Sequence, residues 1–243
     1  MYNQSNSCTM KKLFTAFMFI MASCTLVLAQ NENGIPRSMN GAFSKIEVST
    51  GIQLFLTAAS EASVSVSVGD DKWADDLKTE IQNGTLKIYF HQKSKWRNVR
   101  NKKLKAYVNY KTLDALHCSS GAQAQLLNPL QARQFTLTLS SGSSVSGTIN
   151  AGELKTTASS GAVADIDGTA QQFFTTASSG SRINAHKLAG QVCYAHVSSG
   201  ALVKLHVKKQ LNAEAHSGGA IKYTGNNIEI TKELHSGGSV KEI

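Results

Sequence analysis

Residues 156–168 read TTASSGAVADIDG, and residues 175–185 read TTASSGSRINA. The same Ala-Ser-Ser-Gly returns after nineteen residues, so internal repetition is the first property to test. Ser-Ser-Gly or Ser-Gly-Gly occurs at seven places, with index glycines Gly121, Gly142, Gly161, Gly180, Gly200, Gly218 and Gly237. Their separations are 21, 19, 19, 20, 18 and 19 residues.

The flanks repeat with the glycines. Three residues after each stand Ala124, Val145, Ala164, Ile183, Val203, Ile221 and Val240; three before stand Cys118, Leu139, Ala158, Ala177, Val197, Ala215 and Leu234. Seven before stand Phe135, Leu154, Phe173, Cys193, Leu211 and Ile230, with Asp114 in the first repeat. Four after, the residues are polar: Gln125, Ser146, Asp165, Asn184, Lys204, Lys222 and Lys241. Alternation of period two on both sides of a fixed glycine predicts two strands joined by a tight corner. Glycine supplies the corner's dihedrals and serine hydroxyls can bond the backbone there. One such unit cannot bury its inward row, whereas a stack can. The expected fold is all-β: a single-stranded parallel β-helix (β-solenoid) with about 19 residues per coil and ~4.8 Å between coils.

The N-terminal third is less regular. IEVSTGIQLFL (46–56) repeats the corner at Gly51, Ala74 to Ile81 predicts a helical turn, and Asn83-Gly84 is a hairpin signal between apolar runs. Strands are expected at 86–91 and 104–110. Residues 40–112 therefore read as wider, irregular coils with a hairpin, and 113–243 as the regular repeats of one domain. Ahead of them, Lys11 and Lys12 precede an apolar run from Leu13 to Leu28 that ends in Val27-Leu28-Ala29. This predicts a signal peptide at 1–29 and a disordered segment at 30–39. Cys24, after Met21-Ala22-Ser23, offers lipid anchoring as a lesser alternative. The expected location is the periplasm, the outer-membrane surface or the medium, with no transmembrane span in the mature chain.

Removing 1–29 deletes Lys11 and Lys12 and no acid, which lowers the net charge from +9 to +7. That favours anionic glycans or other cell-surface polymers as partners, and export argues against nucleic acid. Two cysteines remain. Cys118 and Cys193 belong to different columns four coils apart, roughly 19 Å at the coil spacing, so both are expected to be free and buried.

The combination of FSKIEVSTGIQLFL, IQNGTLKIYF, a Trp-containing basic loop, LKAYVNY and repeated SSG corners resembles the putative auto-transporter adhesin, head GIN domain family. Gly51-Ile52-Gln53 matches the turn that names it, with Gln in the third position. The resemblance spans residues 40 to 243. It implies a right-handed β-helix exported by Bacteroidetes-type bacteria, and adhesion without assigned catalytic residues.

Four groups of residues carry possible chemistry. The segment Lys87 to Lys111 holds nine Lys/Arg and no acid, interleaved with Tyr89, His91, Trp96, Tyr107 and Tyr110. Clustered cations and aromatic faces suit acidic sugars, and Lys93, Lys95, Trp96, Arg97, Arg100, Lys102 and Lys103 form the expected binding surface. A solvated hairpin loop is the plainer reading. Asp165 and Asp167 are close, yet no second acid stacks on either, which disfavours a lyase or hydrolase. His186 and His206 are expected above Asp167. His216 and His235, each two before a glycine, are the other weak candidates for metal; with no third ligand in view, neither metal nor cofactor is expected. The last coil exposes backbone groups through which a homo-oligomer could form, with Lys232, Glu233, Lys241 and Glu242 as gatekeepers. The function expected is non-enzymatic adhesion or glycan and polyanion binding. A carbohydrate-active enzyme and a ligand-free envelope module are the alternatives.

Overall fold

In the computed structural model, residues 34–91 and 103–243 are described. They form strands β1 Ile35–Arg37, β2 Lys45–Val48, β3 Gln53–Ala58, β4 Ser63–Ser67, β5 Leu77–Gln82, β6 Thr85–Phe90, β7 Lys105–Tyr110, β8 Ala115–Cys118 and β9 Gln123–Leu126. These are followed by β10 Leu130–Leu139, β11 Ser144–Ala158, β12 Val163–Ala177, β13 Arg182–Val197, β14 Leu202–Ala215, β15 Ala220–Thr224, β16 Glu229–Leu234 and β17 Ser239–Glu242. From β8 onward the pairings between coils are all parallel. The fold is a β-solenoid.

Its register follows the columns read from the sequence. Val145 pairs with Ala164, Ala164 with Ile183, Ile183 with Val203 and Val203 with Ile221. On the other side of the corner, Phe135, Leu154, Phe173, Cys193, Leu211 and Ile230 stack in order. From Phe135 to Leu211 this row is essentially inaccessible to water. Burial of that order contributes roughly 25 cal/mol per Å² of apolar surface, which each coil obtains only from its neighbours.

The corners are tighter than a lone glycine would need. Ser160 has φ 51° and Gly161 φ 71°, so two consecutive residues are left-handed, as in a type I′ turn. The Gly142 N–H donates to the Ser160 carbonyl and the Gly161 N–H to that of Ser179, which carries the interstrand ladder round the bend. Where serine replaces alanine just past the corner, its buried hydroxyl bridges coils. Ser143 donates to the Cys118 carbonyl (2.8 Å) and Ser181 to that of Ala158 (2.9 Å).

The N-terminal coils are stacked out of chain order. β2 lies between β6 and β8, and β3 between β7 and β9. The rung made by β6 and β7 is therefore the outer one, and the chain steps across β2–β3 to begin the regular stack. β5 hairpins onto β6 through Asn83-Gly84, and β4 runs antiparallel to β7. Antiparallel strands thus cover this end.

Three expectations change. The segment 30–39 was expected to be disordered; residues 30–33 lie outside the described residues, but within 34–39 β1 pairs with β4, and the Arg37 guanidinium donates to the carbonyls of Ala74 and Leu77. The helical turn falls at Asp71–Asp76 as a 3-10 turn, with the Asp70 carboxylate accepting from the Lys72 N–H, while 77–82 is strand. β-Branched Thr79 and Ile81 suit that strand. Finally, His186 does not stack on Asp167, which pairs with Lys187, and His206 pairs with Ala189. The 20-residue coil ending at Gly200 sits between coils of 19 and 18. The surplus is taken up as bulges at the bend opposite the corner, which shifts the columns counted from the preceding glycine beyond that point.

Candidate functional site

Two outward columns beside the inward rows define the site. Six residues before the index glycines lie Lys155, Phe174, Tyr194, Asn212 and Thr231, in register on β11, β12, β13, β14 and β16. Four before lie Thr176, His196, Glu214 and Glu233. Both follow from strand alternation, since residues flanking a buried position in a strand point outward.

Stacking of equivalent positions sets the geometry. The Phe174 and Tyr194 rings are 4.7 Å apart and nearly parallel at 5°. Lys155 Nζ caps the Phe174 ring at 5.7 Å. Tyr194 remains 38% exposed, so the shelf is open to solvent. It forms one wall of a depression of about 270 Å³ that is also lined by His196, Asn212, Glu214 and Glu233.

Glu214 is the electrostatic centre. Its two oxygens are taken by His196 Nδ1 at 2.8 Å and His216 Nε2 at 2.5 Å. The hydrogen bond to His216, followed by that to His196, holds the carboxyl below the usual glutamate range. His216 reaches it from the corner of the same coil, and its ring stacks on His235 at 4.7 Å and 11°. Beneath the site, the Thr156 and Thr175 hydroxyls are buried in an inward row and find no hydrogen-bond partner among the described residues.

The residues singled out earlier are distributed differently. Lys93, Lys95, Trp96, Arg97, Arg100 and Lys102 lie outside the described residues. Lys103 is exposed at the start of the following segment. Of the aromatics among them, Tyr110 is buried, Tyr89 donates to Glu80 (2.9 Å), and Tyr107 stacks on Phe55 at 5.1 Å. Asp165 accepts from the Asn184 amide and Asp167 is exposed away from His186. His206 pairs with Thr224 Oγ1 at 2.9 Å; desolvation, then Lys208, pushes its pKa down. Cys118 and Cys193 are free and buried, with burial pushing both thiols up to about 12.

Phe174, Tyr194, His196 and Glu214 were missed. The signal was present as two adjacent aromatics six before consecutive index glycines and a His-Glu-Glu run four before. Ahead of the glycine the regular columns are the inward ones, three and seven residues before it, whereas the outward ones at six and four change residue type from coil to coil.

Coils stacked in parallel register define a repeat protein of the β-solenoid class. The chain belongs to the family described as "Putative auto-transporter adhesin, head GIN domain", which it matches over residues 42–227. The fold is shared with a putative adhesin from Bacteroides fragilis at TM-score 0.74 and 18% identity, covering 87% of this chain and 98% of that one. A putative adhesin from Parabacteroides distasonis gives 0.67 and 21% over 87% and 98%. A protein of the same organism described as a putative lipid binding protein gives 0.65 and 20% over the same shares. A search of curated proteins yields no match. Among the described residues no helix is long and apolar enough to cross a membrane.

Proposed function

We propose that this protein is an exported, non-enzymatic adhesin that binds acidic glycans on the face carrying Phe174 and Tyr194. The observation that carries the reading is the solvent-open aromatic pair. Parallel rings 4.7 Å apart present an apolar plane on which a pyranose face can lie. Lys155 at its edge, ion-paired with Glu153 at 2.9 Å, can exchange that partner for a carboxylate or sulfate, and Asn212 and Thr176 supply hydrogen-bonding groups for hydroxyls. A depression of this kind, apolar on one wall and polar on the other, has the make-up of a small-ligand site. The positive charge of the chain steers polyanions toward it, and the basic segment from Lys93 to Lys103 is proposed as a second contact. The adhesin family and neighbours agree with a surface role, reached through the 1–29 signal or through lipid attachment at Cys24.

One observation bears on the enzymatic alternative. Glu214 and Glu233 are stacked neighbours in the depression, a carboxylate pair that glycoside hydrolysis could use. Yet Glu214 is held ionised by two histidines, the opposite of what a general acid needs.

A glycan array probed at low and at 1 M salt tests the proposal. Binding to acidic glycans is expected, weakening at high salt and falling about tenfold or more in Tyr194→Ala. Absence of binding at either salt, or full retention by Tyr194→Ala, refutes the shelf as the site.

A further inference from the structure

The histidine and glutamate columns converge where no metal was expected from the sequence. One donor atom each from His196, Glu214 and His216 falls within 4.8 Å of the other two. Zinc with bonds of ~2.0–2.1 Å holds tetrahedral donors ~3.3–3.4 Å apart, a separation inside that limit. The pair anticipated earlier, His216 with His235, does not do this. Its rings are stacked at 11°, so their in-plane lone pairs run side by side and do not meet. The His196 and His216 rings are tilted by 46° with centroids 5.4 Å apart, and both aim a nitrogen at the same carboxylate.

We infer that His196, Glu214 and His216 form a binding site for a zinc-class divalent cation, bridging two consecutive coils. Two imidazoles and one carboxylate are a zinc donor set, whereas calcium and magnesium prefer all-oxygen shells. The metal replaces the protons that now link the histidines to Glu214, so the present hydrogen bonds mark the coordination directions. Three protein ligands leave the fourth position of a tetrahedral site for water or an external ligand. Zinc binding stands apart from the glycan reading, because it needs only these three side chains.

The chain, prepared without a polyhistidine tag, is titrated with zinc sulfate against a chromophoric chelator and by calorimetry. The expected result is one zinc per chain, with Glu214→Gln and His196→Ala each losing more than the ~10–100-fold typical of an outer-shell partner. Both side chains are a little under half exposed, and circular dichroism verifies the fold of each variant. His206→Ala, distant from the site, keeps the stoichiometry. Cobalt in place of zinc gives visible d–d bands in the wild type and not in Glu214→Gln. No stoichiometric zinc uptake, uptake unchanged in both ligand variants, or calcium binding with equal strength overturns the inference. A chain that takes up zinc yet binds no glycan retains this site and refutes only the preceding proposal.

Discussion

Single residues show where local chemistry is strained and where it serves the surface. Thr156 and Thr175 occupy an inward row with Leu137, Ala195 and Ala213, and their hydroxyls are buried without partners. An unsatisfied buried hydroxyl costs about 1–3 kcal/mol. Thr175→Val keeps the β-branched shape and removes that cost. The expected outcome is a gain of about 1 kcal/mol, or roughly 2–4 °C in Tm for a chain of this size. A lower Tm on differential scanning calorimetry means that the hydroxyl is bonded after all. At the surface, the same column logic has the opposite use: polar groups repeated every coil become a site, because Glu214 receives one histidine from the coil before and one from its own corner.

At the scale of the element, the corner and the bend do different work. Gly161 has φ 71° and a Cβ there would meet nothing within 4 Å; Gly168 has φ 118° and its Cβ would fall 2.2 Å from the Ile149 carbonyl oxygen. Gly161→Ala is therefore expected to cost only the left-handed backbone penalty, about 1–2 kcal/mol. Gly168→Ala adds a clash with backbone that no rotamer relieves, and urea denaturation should give it a distinctly larger loss. Equal losses would show that the bend yields as easily as the corner. The corners were legible because their glycines are spaced by whole coils. The bends were not: bulges absorb the 20- and 18-residue coils there, so counting from the glycine placed His186 and His206 wrongly above Asp167.

For the whole molecule, stability comes from contacts between adjacent coils, as in a one-dimensional stack. Excising residues 162–180 removes one coil and joins Gly161 to Ser181, leaving Val145 to face Ile183 and Leu154 to face Cys193. Every inward column survives, so this shortened chain is expected to fold with β-type circular dichroism and to unfold cooperatively at a lower temperature and with a smaller m-value. An insoluble or non-cooperative product would mean that the coils are not interchangeable. The N-terminal end is not interchangeable in this sense. Its coils are stacked in the order β6–β7, β2–β3, β8–β9, and antiparallel β4 and β5 cover edges that would otherwise pair with another chain.

The recurrent Ala-Ser-Ser-Gly and its flanking columns were enough to determine the class of fold, the inward rows, the register beside the corners from β10 to β17 and the separation of Cys118 from Cys193. Periodicity does this because a coil closes only when equivalent residues stack. The tertiary structure decided which outward positions cooperate. Phe174 and Tyr194 become one shelf, and His196, Glu214 and His216 one cluster, because neighbouring coils bring together side chains nineteen or so residues apart. It also decided the crossed order of the first coils. Strand alternation tells each residue which side to face, but not which rung lies above it.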